Sequence, residues 1–516
     1  MTIQQLLIQS LKNNSNNNAL HTNNTYYTYK ELYNQSILIS DAILSIKYVK
    51  QPVIIMGMRS FYTYAGICGT IISGSYYTPL NSSFPMERNI NIINQSQGNI
   101  IYLDYTDFEN YKQILESING YNIICPSEHY DYLSSTFHNH KFYKCGEKQN
   151  IINTLGTDIV YMLFTSGSQG LPKGIKINND NLYNYILNTA KRSGITSSTK
   201  LLQMHDLSFD YSIHSLFLSL LHGSCLYIID KLNKLNPIKY INKYEIDHVA
   251  FVPSSINMMK KMRVLKDNIL LSLKYVCFCG EILPFDNALL FAKACPNAKL
   301  ENLYGPTEAT VACTYFEFNK DTKEQEEYCG SMPIGNSYDG MEVFLIDENK
   351  NIINNNSVGE LVLSGKQLAS CYVNNIKQTE EKFVKINNKD CYLTGDLCRY
   401  VNNELVFLGR NDAQVQIKGY RVELFEIENA ISKIDGILSN ACIPTPVDSI
   451  TYEGVTAFIT VDKNNTLLGG GNFFLKEILN KQLPEYMVPS KFIILESMPY
   501  NNNGKIDRNK LKTMVK

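Results

Sequence analysis

Between Ile159 and Asn181 the chain reads IVYMLFTSGSQGLPKGIKINNDN, an apolar strand-forming run followed by a glycine-dense loop, a lysine and a polar helix start. Gly167, Gly170 and Gly174 would let backbone N–H groups approach anionic oxygens closely, while Thr165, Ser166 and Ser168 add hydroxyls and Lys173 adds charge. That chemistry is phosphate binding. The same glycine density also suits a mobile surface loop, and the local pattern leaves both readings open. The GxxxxGK[ST] spacing of a Walker A loop is absent, which removes the main support for a P-loop nucleotidase.

Other reactive side chains lie far apart: Asp210 in LSFDYSIHSLFLSLLHG, Glu308 in NLYGPTEAT, Asp396 in CYLTGDLCRY and Lys505 in NGKIDR. Each has a plain structural alternative. Asp210 could cap a helix whose apolar face carries Ile213, Phe217 and Leu220. Glu308 could cap a helix, Asp396 could be a turn acid, and Lys505 could be a solvated surface lysine.

Apolar, β-branched runs at Val53, Ile100, Ile159, Val249 and Tyr275 alternate with helical patterns, which predicts buried strands in parallel α/β sheets. After about Ser331 the runs shorten and turn signals multiply, predicting a smaller β-rich unit with a hairpin turn at Asp347 to Asn351. A polar turn at Phe407 to Gln414 precedes VELFEIENAISKI, which has helical spacing, and the strand-like VTAFITVD and SKFIILE. This predicts a compact α+β tail.

The 516 residues allow several folding units, and 44% hydrophobic with 19% charged residues is ordinary for a soluble globular protein. A net charge of −1 gives no bulk electrostatic reason to expect nucleic acid. Thirteen scattered cysteines without a CxxC pair, and an N-terminus without a basic start and cleavable apolar core, predict reduced thiols and a cytoplasmic location. No run approaches the length of a membrane span.

Taken in order, the glycine loop, NLYGPTEAT, CYLTGDLCRY, GRNDAQVQIKGYRVELFEIE and NGKIDR resemble the adenylate-forming superfamily. That superfamily includes acyl-CoA synthetases, luciferases and the adenylation domains of nonribosomal peptide synthetases. GSYYTPLNSSFPMERN, GELVLSGKQLASCY and LPEYMVP extend the resemblance over most of the chain. It implies an α/β protein with a large N-terminal core, residues 1–410, holding two parallel-type sheet subdomains and a β-rich subdomain. A small mobile C-terminal α+β domain, residues 411–516, would carry the catalytic lysine. ATP and Mg2+ are the implied cofactors. The resemblance assigns Thr165, Ser166, Gly167, Ser168, Gln169, Gly170 and Lys173 to the polyphosphate, with Gln169 standing where the family usually has a second hydroxyl residue. It places Tyr304 on adenine, Asp396 on the ribose, Arg410 near the ribose or phosphate, and Glu308 on magnesium. Gly280, Glu281, Asn302, Gly305 and Thr307 complete the nucleotide site. Lys505 would bridge the substrate carboxylate and the α-phosphate, with Thr165 and Glu308 as its catalytic companions. Asp412 falls at the interdomain hinge, about which the tail would rotate to present the GYRVE segment around Gly419 for thiol transfer.

The segment containing Asp210 resembles that of amino-acid-activating members, in which this aspartate pairs with the substrate ammonium. A buried carboxylate needs such a partner. The carried-over side-chain pocket is Tyr211, His214, Phe251, Cys277, Cys279, Leu303 and Val311, with His214 as a wall, and its bulk points to a small or modest apolar substrate. FCGEILP and NLYGPTEATVACT look like D-alanine:carrier-protein ligases. The expectation is a monomeric, stand-alone enzyme that adenylates an amino acid and loads it on the phosphopantetheine thiol of a separate carrier protein, or on coenzyme A. The alternatives are a D-alanine:carrier-protein ligase, an acyl-CoA synthetase and a catalytically silent nucleotide-binding regulator.

Overall fold

The structure is a computed structural model that describes all residues except 47–49, 147–156, 168–171, 354–356, 413, 448, 463–470, 501–505 and 516. Five of its strands, Pro52–Met56, Ile100–Leu103, Ile159–Thr165, His248–Phe251 and Tyr275–Phe278, coincide with the apolar runs of the sequence. Val53, Ile54, Ile55 and Met56 are all fully buried. Such a strand is covered on both faces, which is why its sequence is continuously apolar rather than alternating.

Two large sheets organise the N-terminal core. An eight-stranded sheet is built around Pro52–Met56, and a nine-stranded sheet around Lys200–Gln203 and His248–Phe251. Helices Ile3–Asn13, Tyr29–Ser45, Phe61–Ile72, Asn179–Ser193 and Tyr211–His222 share one hydrophobic core with strands of both sheets. The sheets carry the expected parallel strands, with antiparallel pairs added. Ile159–Thr165 pairs antiparallel with Lys173–Asn178, and Lys299–Tyr304 pairs antiparallel with Thr314–Phe318. Lys173 therefore opens a hairpin strand, and the helix that the motif foreshadows starts only at Asn179, capped by the Asn178 side chain. A helix N-terminus consequently does not follow the glycine loop directly.

The β-rich unit is antiparallel and includes Met341–Ile346, Gly359–Gly365, Lys389–Val401 and Glu404–Arg410. Its register sets Asp396 opposite Arg410. Asp347 accepts from the backbone of Asn349 and Asn351, fixing the expected turn. In the tail, helix Leu424–Ser432 shares an apolar cluster with Ile437–Thr445 and Gly454–Val461, two strands of a three-stranded sheet. Ahead of it, strands Gln414–Ile417 and Tyr420–Glu423 form a two-residue hairpin. Lys418 and Gly419 both have positive φ, 51° and 83°, which is the turn geometry that matches strand twist. A side chain at Gly419 would bring its Cβ to 2.6 Å from Val252 Cγ1, so this tip rests against the N-terminal core.

Candidate active site

Asp210 immediately precedes helix Tyr211–His222 but makes no capping hydrogen bond to it. Its Oδ2 instead accepts from Thr307 Oγ1 at 2.6 Å. One edge of the carboxylate faces a cavity of about 100 Å³ that is also lined by Tyr211, Val252, Cys279, Gly305 and Val311. Burial pushes its pKa from 3.8 to about 6, opposed by the Thr307 hydroxyl. The arrangement is a carboxylate facing a cavity without an ion-pair partner of its own among the described residues, the Arg421 charge acting on it only at a distance, and its side chain does not cap the helix.

Tyr211 closes the far side of this cavity, its hydroxyl donating to the Cys277 carbonyl at 3.1 Å. Behind it, Tyr185 Oη meets His214 Nδ1 at 2.7 Å, and His214 Nε2 lies 2.9 Å from His248 Nε2 and 3.5 Å from Cys277 Sγ. Burial holds the His214 pKa well below 6.5 and brings His248 to about 3, so both rings are neutral. His214, His248 and Cys277 are the one group of metal-type donors brought together among the described residues. Those donors are already engaged with one another, with Tyr185 and with Tyr211, which makes them a satisfied cluster behind Tyr211. Neither His214 nor Cys277 lines the cavity, contrary to the carried-over pocket, because the Tyr211 side chain hydrogen-bonds Cys277. Phe251 does not reach the cavity: it packs against Phe278 and Phe291 in the core, and the adjoining Val252 lines the cavity instead. Adjacent residues at a strand end point to opposite faces, so a one-residue step decides which is exposed.

A second cavity, of about 600 Å³, is lined by Gly280, Asn302, Leu303, Tyr304, Asp396 and Arg410, and runs on to Arg508 and Lys512 of the tail. The Tyr304 hydroxyl and the Arg410 guanidinium both hydrogen-bond Asp396. Arg410 also forks onto Asp412, Nε to Oδ1 and Nη2 to Oδ2 both at 2.7 Å. Two buried oxygens, Thr165 Oγ1 on a residue lining the smaller cavity and Asn302 Oδ1 on a residue lining the larger, have no hydrogen-bond partner among the described residues. Unpaired buried polar atoms are costly, and a nucleotide with its phosphates would satisfy both. The chain therefore fits ATP.

Glu308 sits in the short turn Thr307–Ala309 and is completely buried. Its Oε1 accepts from Tyr372 Oη at 2.6 Å, and its Oε2 pairs with Arg421 Nη1 at 2.7 Å. Burial alone would raise its pKa, but Arg421 and then Lys173 hold it at about 2. A permanently ionised carboxylate beside a phosphate site suits Mg2+, which is commonly held by one or two carboxylates together with substrate phosphates. Lys173 is buried over the Tyr372 ring, its Nζ 3.9 Å from Glu423. Ser166 Oγ donates to the Arg421 carbonyl at 2.8 Å. Ser168, Gln169, Gly170 and Lys505 lie outside the described residues, and Gly167 borders them.

Two functional contacts escape the sequence reading. Glu281, assigned by resemblance to the nucleotide, accepts from Gly419 N at 2.5 Å and from Ser254 N at 2.6 Å, so it seats the hairpin tip. Arg421 was part of a recognisable GYRVE segment, but its pairing with Glu308 spans 113 positions and has no local signature. The seat is extended by Tyr420, which stacks on Tyr486 at 3.9 Å, and by an Arg88 to Glu426 pair at 2.6 Å.

The family model described as "AMP-binding enzyme" matches residues 7–373, and "AMP-binding enzyme C-terminal domain" matches residues 426–505. The D-alanine--D-alanyl carrier protein ligase of Staphylococcus aureus is 29% identical over 95% of this chain and 94% of its own. Bacitracin synthase 3 of Bacillus licheniformis is 31% identical over 99% of this chain, which spans only 8% of that relative's length. Among solved structures, the Vibrio cholerae adenylation domain AlmE in complex with glycyl-adenosine-5'-phosphate superposes with a TM-score of 0.90 at 28% identity, covering 99% of this chain and 97% of that one.

Proposed function

Because the chain belongs to the AMP-binding enzyme family, an ATP-dependent and AMP-forming class, we propose that it activates a small α-amino acid as an aminoacyl adenylate and passes it to a carrier-protein thiol. The observation that carries the amino-acid reading is Asp210, a carboxylate facing the smaller cavity with a threonine hydroxyl as its side-chain hydrogen-bond partner and, among the described residues, no cation in an ion pair with it. An α-ammonium would supply the missing charge, whereas a fatty acid would leave it unpaired.

In the first half-reaction a substrate carboxylate oxygen attacks the α-phosphorus, and the bond to the β-phosphate oxygen breaks as pyrophosphate leaves. Little covalent work falls to the protein, so positioning and charge placement carry the rate. Asp210 fixes the ammonium end, and Thr165 and Lys173 take polyphosphate oxygens. Asp396 accepts from the ribose hydroxyls once Tyr304 and Arg410 yield their bonds to it. Bound at Glu308, Mg2+ would neutralise charge on the phosphates. Lys505 would balance charge on the carboxylate and α-phosphate. In the second half-reaction the thiol sulfur attacks the acyl carbonyl, AMP departs, and the thiol proton passes to solvent. The seated GYRVE hairpin belongs to that stage, with Asp412 as the hinge at the boundary between residues 1–410 and 411–516.

Tyr211 lining a cavity of only about 100 Å³, its hydroxyl fixed on the Cys277 carbonyl, supports a small side chain. The similarity to a domain solved with glycyl-AMP and to D-alanyl carrier ligases points the same way. ATP–pyrophosphate exchange with a panel of glycine, D- and L-alanine, leucine, phenylalanine and short fatty acids tests the reading. Exchange with glycine or alanine is expected. Exchange with fatty acids alone would replace it with an acyl-CoA synthetase, and none with any carboxylate would favour a silent regulator.

A further inference from the structure

The hairpin strand Tyr420–Glu423 brings two opposite charges, two residues apart, into the metal and phosphate site. Residues i and i+2 share a strand face, so Arg421 and Glu423 enter together. Arg421 Nη1 meets Glu308 Oε2 at 2.7 Å, and Glu423 Oε1 lies 3.9 Å from Lys173 Nζ. Glu308 is the carboxylate that fits Mg2+, and Lys173 is the cation assigned to polyphosphate. We propose that the Arg421/Glu423 pair is an internal surrogate for magnesium pyrophosphate, with the guanidinium taking the place of the metal and the carboxylate that of a phosphate.

The placement is held from several sides. Arg421 Nε donates to Gln414 Oε1 at 2.6 Å, and Gln414 Nε2 donates to Glu423 Oε1 at 2.6 Å, so one glutamine ties the two charged side chains together. Ser166 Oγ, from the start of the glycine loop, holds the Arg421 carbonyl. Gly419 N is anchored on Glu281. Neither Glu308 nor Lys173 is left as an unpaired buried charge when the phosphates are gone, a condition that otherwise costs several kcal/mol. The guanidinium and a bound metal would compete for the same Glu308 carboxylate, so the hairpin seats only after metal pyrophosphate has left. Product release and the tail's arrival then become one exchange of ions. Arg421 and Glu423 act here as positioning residues.

This inference rests on the adenylate-forming reading but not on the identity of the acid, so magnesium pyrophosphate alone is the probe. Hydrogen exchange of the Gln414–Leu424 peptide reports seating, because the Gly419 amide is bonded to Glu281 only in the seated hairpin. The probe is titrated beyond the concentration that half-saturates ATP–pyrophosphate exchange. In the wild type, magnesium pyrophosphate should lower protection at least about tenfold, while Mg2+ alone or pyrophosphate with EDTA should do little. In Arg421→Gln protection should start low and respond little, and Arg421→Lys should restore part of both. Wild-type protection indifferent to magnesium pyrophosphate, or the same response in Arg421→Gln, would overturn the proposal. The lysine variant separates loss of the charge from loss of the fold. Failure of the amino-acid panel alone would leave this result intact and overturn only the choice of substrate.

Discussion

Replacing Asp210 by asparagine keeps the shape of the side chain and removes its charge. Its pKa of about 6, against an ordinary 3.8, means that holding the charge at neutral pH costs up to about 3 kcal/mol in the free protein. This is an upper bound, because one edge of the carboxylate faces the cavity. A substrate ammonium offsets that cost, and breaking such a pair from one side costs about 3–5 kcal/mol. For an amino acid, kcat/KM in ATP–pyrophosphate exchange should therefore fall by about 10²- to 10³-fold in Asp210→Asn. The des-amino acid of the same length has no ammonium to lose and should be unaffected or improved. The pH dependence carries the same sign. Below about pH 6 the wild-type carboxylate takes up a proton, so kcat/KM for the amino acid should fall about tenfold per pH unit, and the variant's profile should be flat there. Stability should move oppositely. A carboxyl whose folded pKa is raised penalises the fold fully above about pH 6, and this penalty vanishes below 3.8, so the variant should gain stability at pH 8 and lose that gain at pH 3.5. Equal loss for the amino acid and its des-amino analogue would refute the ammonium role.

Tyr211→Ala removes a ring that lines the smaller cavity, and exchange with leucine or valine should rise relative to glycine by about tenfold or more, on the order of one or two buried methylenes. An unchanged preference would place the size limit elsewhere. Lys505→Ala should abolish exchange while leaving thioester formation from supplied aminoacyl adenylate, and intact exchange with failed transfer would show its role to be the reverse. Asp412→Pro removes the side chain that the Arg410 fork grips and restricts the backbone at the hinge position. It should impair thioester formation more than adenylate formation, measured as separate half-reactions, and equal loss would argue against the hinge.

The parts legible in the sequence were those with a local cause. Continuous apolar runs became doubly covered strands, and the helical spacing of VELFEIENAISKI became Leu424–Ser432. Tyr211, Cys279 and Val311 line the cavity beside Asp210, as the resemblance implied. What the sequence missed depends on register or on distant pairing. Phe251 and Val252 are adjacent and both apolar, so composition cannot say which faces the cavity, and only the strand's phase selects Val252. Glu281, placed in the nucleotide site by resemblance, lines the larger cavity, and its carboxylate is also held by the tail's hairpin, a contact with no local signature. The loop that opened the reading is closed by antiparallel strands, a pairing that an apolar run followed by Lys173 does not encode.

Asp210 and Glu308 show why the distant contacts decide the chemistry. Thr307 connects them: its hydroxyl bonds Asp210, and its neighbour in the chain is Glu308. Both are carboxylates within the same site, but one is pushed to about 6 and the other held at about 2. Burial disfavours charge on both, so the difference comes from Arg421 and Lys173, which lead the opposing forces on Glu308. On the proposed reading Asp210 awaits a cation that the substrate would bring, while Glu308 already has one that the tail brings. In the proposed exchange, withdrawal of the tail would take the guanidinium from Glu308 and leave it the stronger claimant for a divalent ion. The state in which adenylation occurs would then be stabilised by metal to the extent that the seated state is stabilised by Arg421, and weakening the arginine should tighten the metal. In Arg421→Gln, Mn2+ affinity measured by electron paramagnetic resonance with a non-hydrolysable ATP analogue should rise. Affinity that is unchanged would mean that the two cations do not share the site.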